Sequence, residues 1–142
     1  RAWPADADAA VPYWVYTDPA IYAEELQKIW YGPHWLYVGL ECELAEVGDW
    51  KTTTLGEKPC VMVRSGEDEI SVVENRCAHK AGPLSEGIVH GASVTCPLHN
   101  WVFDLQTGKA MGADEGQVAT YEVEVVDGRI FMAPVAAMLA AE

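Results

Sequence analysis

The chain has 142 residues, with nine Lys and Arg against 22 Asp and Glu and a net charge of −13. A single domain of this length buries a core without disulfide staples, and so acidic a surface disfavours nucleic acid, whose phosphates need basic patches; a basic protein partner is the better electrostatic match. Half of the residues are apolar, yet no run approaches the roughly 18 to 20 apolar residues that span a bilayer, and no basic, hydrophobic leader is visible, so a cytoplasmic protein without membrane contact is expected.

Residues 1–12, rich in Ala, Asp and Pro, have no periodicity and read as a flexible arm. Asp18-Pro19 supplies an N-cap followed by Pro at the first helical position. Ile21, Tyr22, Leu26, Ile29 and Trp30 then recur at helical spacing up to the stop at Gly32-Pro33. This predicts one amphipathic helix of about three turns, its apolar face docked on the domain. From Trp35 the period changes to two. Strands are expected near 35–40, 50–55, 60–64, 70–74, 101–105, 121–126 and 129–133, and Asp127-Gly128 between the last two marks a hairpin. The tail 134–142 reads as a short helix or the start of a linker. The fold class is all-β: an antiparallel sandwich or small barrel of about eight to ten short strands with one N-terminal helix.

Two Cys-and-His pairs lie in the middle of this pattern. Cys77-Ala78-His79 has one residue between its ligands and Cys96-Pro97-Leu98-His99 has two. A disulfide framework would not require a His within three residues of a Cys. Two thiolates and two imidazoles suit zinc or an iron–sulfur cluster, but each short loop here contributes one of each type. That mixed order fits a binuclear site in which both Cys bind one iron and both His the other. Cys60, in an apolar run, reads as a small buried hydrophobe, and Cys42 has no evident role. His34 reads as a packed or capping residue, and His90 as a loop residue with at most a weak claim to the cluster side.

These four residues resemble the Rieske [2Fe–2S] signature. Residues 13–64, with Tyr16-Thr17-Asp18-Pro19, Trp35-Leu36-Tyr37-Val38-Gly39 and Gly48-Asp49, resemble the N-terminal portion of Rieske ring-hydroxylating oxygenase large subunits, salicylate-hydroxylase-like ones in particular. Residues 77–131, with Gly82-Pro83-Leu84-Ser85-Glu86-Gly87 and Phe103-Asp104-Leu105 before Thr107-Gly108, are more similar to the small Rieske subunit of assimilatory nitrite reductase or a Rieske ferredoxin. The resemblance implies a Rieske-type β-sandwich over 13–133 with a small cluster-binding subdomain, its loops at about 76–101. It implies a [2Fe–2S] cluster on Cys77, His79, Cys96 and His99.

The implied function is one-electron transfer, as carrier or electron-entry domain of an aromatic-ring oxygenase system fed by an NAD(P)H-dependent flavoprotein reductase. The alternatives are the small subunit of a nitrite reductase, serving its large subunit, and a zinc-stabilised binding module. High-potential respiratory members of the family carry an extra Cys in each cluster loop; Gly82 and Leu98 stand there in this chain, and Trp101 replaces a hydroxyl donor. Fewer donors to the sulfides leave the reduced cluster less stabilised, so the low end of the Rieske range is expected, about −150 to −100 mV. His79 and His99 should keep their outer ring nitrogens near solvent, while Lys80 and Trp101 are candidates for supporting the cluster or meeting a partner. Only His34 and His90 remain for a second, mononuclear iron, and no G-x-G-x-x-G motif is present. The chain is therefore expected to pass electrons without transforming a substrate by itself.

Overall fold

The structure, a computed structural model, describes residues 11–136. The expected arm falls on residues 1–10 almost entirely, outside the described part. The first regular element is helical and spans residues 13–30: a 3-10 turn Tyr13–Tyr16, helix α1 at Pro19–Glu25, and a π-helical turn Leu26–Trp30. The Asp18 carboxylate accepts a hydrogen bond from the Ala20 backbone N–H at 2.9 Å, so the predicted cap is in place.

The docking of this helix differs from expectation. Ile21 and Leu26 are half-buried, but Tyr22, Ile29 and Trp30 are exposed, Ile29 by 50%. The cause is the π turn, in which the Tyr31 N–H reaches back five residues to the Leu26 carbonyl. One extra residue per turn carries Ile29 and Trp30 off the stripe that a 3.6-residue period would give them. The helix instead leans by one edge on the turn at Gly56: a Cβ there would lie 3.0 Å from Leu26 Cδ2 and 3.2 Å from Trp30 Cβ.

Nine antiparallel strands follow among the described residues: β1 Leu36–Leu40, β2 Trp50–Leu55, β3 Lys58–Gly66, β4 Glu69–Glu74, β5 Ile88–His90, β6 Ser93–Thr95, β7 Val102–Asp104, β8 Thr120–Val126 and β9 Arg129–Ala136. Six form one sheet in the order β1-β9-β8-β4-β3-β2, and β5-β6-β7 form a second. The expected all-β antiparallel architecture with one N-terminal helix and a small cluster-binding subdomain is what the structure shows. Asp127 and Gly128 both adopt positive φ, 49° and 71°, the conformation a two-residue hairpin loop demands. β9 runs beyond the expected 133 to pair Ala136 with Tyr121; residues 137–142 lie outside the described part.

The apolar run Cys60-Val61-Met62-Val63 is explained by its place in the sheet. Alternate residues of a strand face opposite ways, and both faces of β3 are covered. Val61 and Val63, with Val73 of β4, join the core shared with the small sheet, which includes Leu84, Val94, Phe103 and Leu105. Cys60 and Met62, with Val72, join the other core, with Leu55, Ile130 and Met132. The small sheet thus rests on the large one through β3 and β4. Among the described residues no helix is long and apolar enough to cross a membrane.

Candidate metal centre

The loops that carry the four candidate ligands share one backbone design. In the first, Cys77–Gly82, the Cys77 N–H donates to the Gly82 carbonyl and the Ala81 N–H to the Cys77 carbonyl, both at 2.8 Å. In the second, Cys96–Trp101, the Cys96 N–H donates to the Trp101 carbonyl at 2.7 Å and the Asn100 N–H to the Cys96 carbonyl at 3.1 Å. The residue four places after each Cys is left-handed: Ala81 has φ 55° and Asn100 φ 59°. Each loop is one turn that folds back on its own Cys and throws the intervening His outward.

Strands hold the two turns in place. The first springs from β4 and is clamped by Asn75, whose side chain donates to Ser85 Oγ at 2.9 Å and accepts from the Ser85 N–H at 2.8 Å. The second joins β6 directly to β7. Below it, the Asp104 carboxylate accepts from the Gln106 and Thr107 backbone N–H groups and the Thr107 hydroxyl, at 3.1, 2.7 and 2.8 Å. The turns also meet: a Cβ on Gly82 would lie 2.5 Å from Leu98 Cδ1, so in its present rotamer Leu98 occupies the space that glycine leaves open. The two positions where respiratory relatives are expected to carry bridging cysteines therefore touch.

The ligand side chains separate by type and by depth. Cys77 and Cys96 are buried at 3% and 0% exposure and belong to the same core cluster. His79 and His99 are exposed, with ring centroids 4.6 Å apart and planes at 74°. Among the described residues no three His, Cys, Asp or Glu side chains close round one point as a single metal ion would require. Burial raises the Cys77 thiol above its ordinary pKa, and the backbone N–H groups of His79 and Lys80 oppose that shift. Those N–H groups stand ready to stabilise a thiolate. A buried thiol pair with an exposed imidazole pair above it suits a binuclear iron cluster better than a single ion.

The other sequence candidates divide cleanly. Trp101 is at the site, stacked on His79 with centroids 4.8 Å apart and an interplanar angle of 8°. Lys80 is exposed and forms none of the ion pairs among the described residues. Cys60 is fully buried in the other core, its pKa pushed up to about 11 by burial; Cys42 is exposed. His34 is exposed overall, but its ring lies against Gly32, where a Cβ would be 2.7 Å from its Cε1, and its backbone N–H donates to the Gly32 carbonyl at 2.9 Å. His90 closes β5 opposite Ser93, at the end away from Thr95 and the ligand loops. Sequence reasoning passed over Asn75, Ala81 and Asn100; only the matched distance of Ala81 and Asn100 from their cysteines could have signalled the last two.

Charge is partitioned between the two parts. Residues 76–118 hold Arg76, Lys80 and Lys109 against Glu86, Asp104, Asp114 and Glu115, so nearly all of the net −13 belongs to the rest of the chain. The outward row of the small sheet at its ligand end, Ile88, Thr95 and Val102, is mostly apolar, with Ile88 61% exposed and Leu98 54% exposed nearby.

Residues 34–122 match the Rieske [2Fe-2S] domain, and the chain belongs to that family; its cofactor is a Rieske-type [2Fe–2S] cluster. It is 40% identical over 105 residues to the large oxygenase component of salicylate 5-hydroxylase from Ralstonia sp., covering 73% of this chain and 25% of that one. Among solved structures it resembles the ferredoxin of carbazole 1,9a-dioxygenase from Nocardioides aromaticivorans IC177, with TM-score 0.65 and 26% identity over 71% of this chain and 98% of that one. A chain in the complex of reduced oxygenase and oxidised ferredoxin in carbazole 1,9a-dioxygenase matches with TM-score 0.66 and 26% identity, over 73% of this chain and 96% of that one. The chain spans about a quarter of the length of the curated relatives it matches. The similarity to oxygenase Rieske domains and to a ferredoxin agrees with the oxygenase and ferredoxin resemblances read from the sequence.

Proposed function

We propose that Cys77 and Cys96 hold one iron of the cluster and His79 and His99 the other, and that the chain is the electron-entry domain of an aromatic-ring oxygenase system in the cytoplasm. It would take single electrons from an NAD(P)H-dependent flavoprotein reductase and hand them to a mononuclear iron of the terminal oxygenase. The observation that carries this reading is the division of ligands by depth, with buried thiols and surface imidazoles. When bound, such a cluster supplies a one-electron site, and its neutral imidazole ligands raise the potential above that of a four-thiolate cluster. Cys77 and Cys96 would hold the group from the buried side, while the exposed rings of His79 and His99 stand at the surface where a partner would approach. Lys80 stands beside His79 with its ammonium free of the described acids, available to an acidic group on a partner.

The relatives support an oxygenase system over a nitrite reductase, since salicylate 5-hydroxylase and carbazole 1,9a-dioxygenase both act on aromatic rings by name. The exposed apolar face of the helix, which lies ahead of the matched residues 34–122, supports an entry domain over a free carrier. The test is an anaerobic redox titration followed by EPR, then reduction by NADH through a flavoprotein reductase of this class. A Rieske spectrum with a midpoint of about −150 to −100 mV is expected. A midpoint above zero would overturn the low-potential reading, and a colourless protein with stoichiometric zinc would overturn the ligand assignment.

A further inference from the structure

A His that ligates a metal is ordinarily oriented through its other ring nitrogen, which donates to a carboxylate, a carbonyl or water. What the described residues offer the two imidazoles here is ring contact. His79 has one face covered by Trp101, nearly parallel at 4.8 Å and 8°, and meets His99 edge-on. His99 has the edge contact alone. Trp101 is itself fixed from behind. Its ring lies 6.2 Å from that of Phe103, which is fully buried, and the loop at Gly116 presses close: a Cβ on Gly116 would lie 2.9 Å from Trp101 Cζ3 and 3.3 Å from Ala78 Cβ. That loop is tied to the small sheet by the Ala110 N–H, which donates to the Gly116 carbonyl at 2.8 Å.

We propose that Trp101, seated by Phe103 and the side-chain-free Gly116, is a positioning residue that sets the ring plane of His79 by stacking. The inference rests on the ligand reading given above. It implies an asymmetry between the two imidazoles, since one is held from the core and the other only by its neighbour.

The test compares Trp101→Phe, Trp101→Leu and Gly116→Ala in the cluster-loaded protein by EPR of the reduced state, pulsed EPR of the two imidazole nitrogens, midpoint potential and the rate of iron loss to a chelator. Trp101→Leu should change the g-values and one of the two nitrogen couplings, shift the midpoint, and weaken cluster retention roughly tenfold, while Trp101→Phe, which can still stack, should restore the parent spectrum. Gly116→Ala, whose Cβ would press on the indole more closely than on Ala78 beside His79, should shift the g-values and the same nitrogen coupling in the direction of Trp101→Leu. Parent-like g-values, couplings and midpoint in Trp101→Leu would overturn the proposal; if that variant loads no cluster, a parent-like Gly116→Ala overturns it. A parent protein without a Rieske signal would instead refute the ligand reading.

Discussion

Ala81 and Asn100 occupy the same place in two copies of one turn, and the chemistry of each side chain decides what it costs. A left-handed conformation pushes the Cβ of an L-residue towards the following carbonyl. Asn tolerates it through its short polar side chain, whereas Ala has no compensating bond. Ala81→Gly should therefore stabilise the loaded protein, by about 0.5–1 kcal/mol after the entropy that glycine adds to the unfolded chain, and raise its melting temperature by about 2–4 °C. Asn100→Gly should change it little. Thermal unfolding of both variants checks this, and a destabilising Ala81→Gly would mean that the Ala methyl group packs in a way its exposure does not indicate. The ligands themselves were legible at this scale, because each Cys is within three residues of its His and short spacing needs no fold to interpret. The stack of Trp101 on His79 was not. It joins residues from different loops, and nothing in the local order of either reveals it.

At the scale of elements, the turn ahead of β2 is fastened by a group the sequence does not advertise. Arg64, on β3, is only 7% exposed. Its guanidinium donates to the Leu44 carbonyl, to the Glu67 carbonyl at 2.7 Å and to the Glu41 carboxylate at 3.0 Å. Arg64→Met would leave two carbonyls without this donor and should cost about 2–3 kcal/mol. Glu41→Gln should cost less than about 1 kcal/mol, since that carboxylate is 41% exposed and already screened. Urea unfolding at constant m measures both, and equal losses would show that the ion pair, not the carbonyl bonds, is the fastening. Element types were mostly readable here: the Asp-Gly hairpin and the Thr-rich β2 stood where periodicity placed them. Strands β5 and β6, three residues each, are too short for alternation to show. The π turn escaped for a related reason, since it breaks the very period by which the helix was recognised.

Over the whole molecule, the uneven charge should govern small-molecule electron exchange. Long-range attraction follows the total, −13, but reagents must approach the exposed imidazoles, in the part of the chain that is nearly neutral. Salt screens charges beyond about 8 Å at physiological ionic strength. The dependence of the oxidation rate on ionic strength, measured with one cationic and one anionic inorganic reagent, should accordingly report an effective charge near that of residues 76–118. A slope corresponding to the full −13 would place exchange elsewhere on the surface. The count over residues 76–118 is legible in the sequence; that this stretch forms the part bearing the exposed imidazoles is what the fold adds.

The double burial of β3 has a mechanical consequence. Val61 and Val63 face one core while Cys60 and Met62 face the other, so the ligand-bearing part owns no wall that the main sheet does not also own. The two parts are one cooperative unit, held by a shared partition. The buried thiols keep their spacing for as long as that partition stands, and loosening anywhere along it is felt on both sides at once.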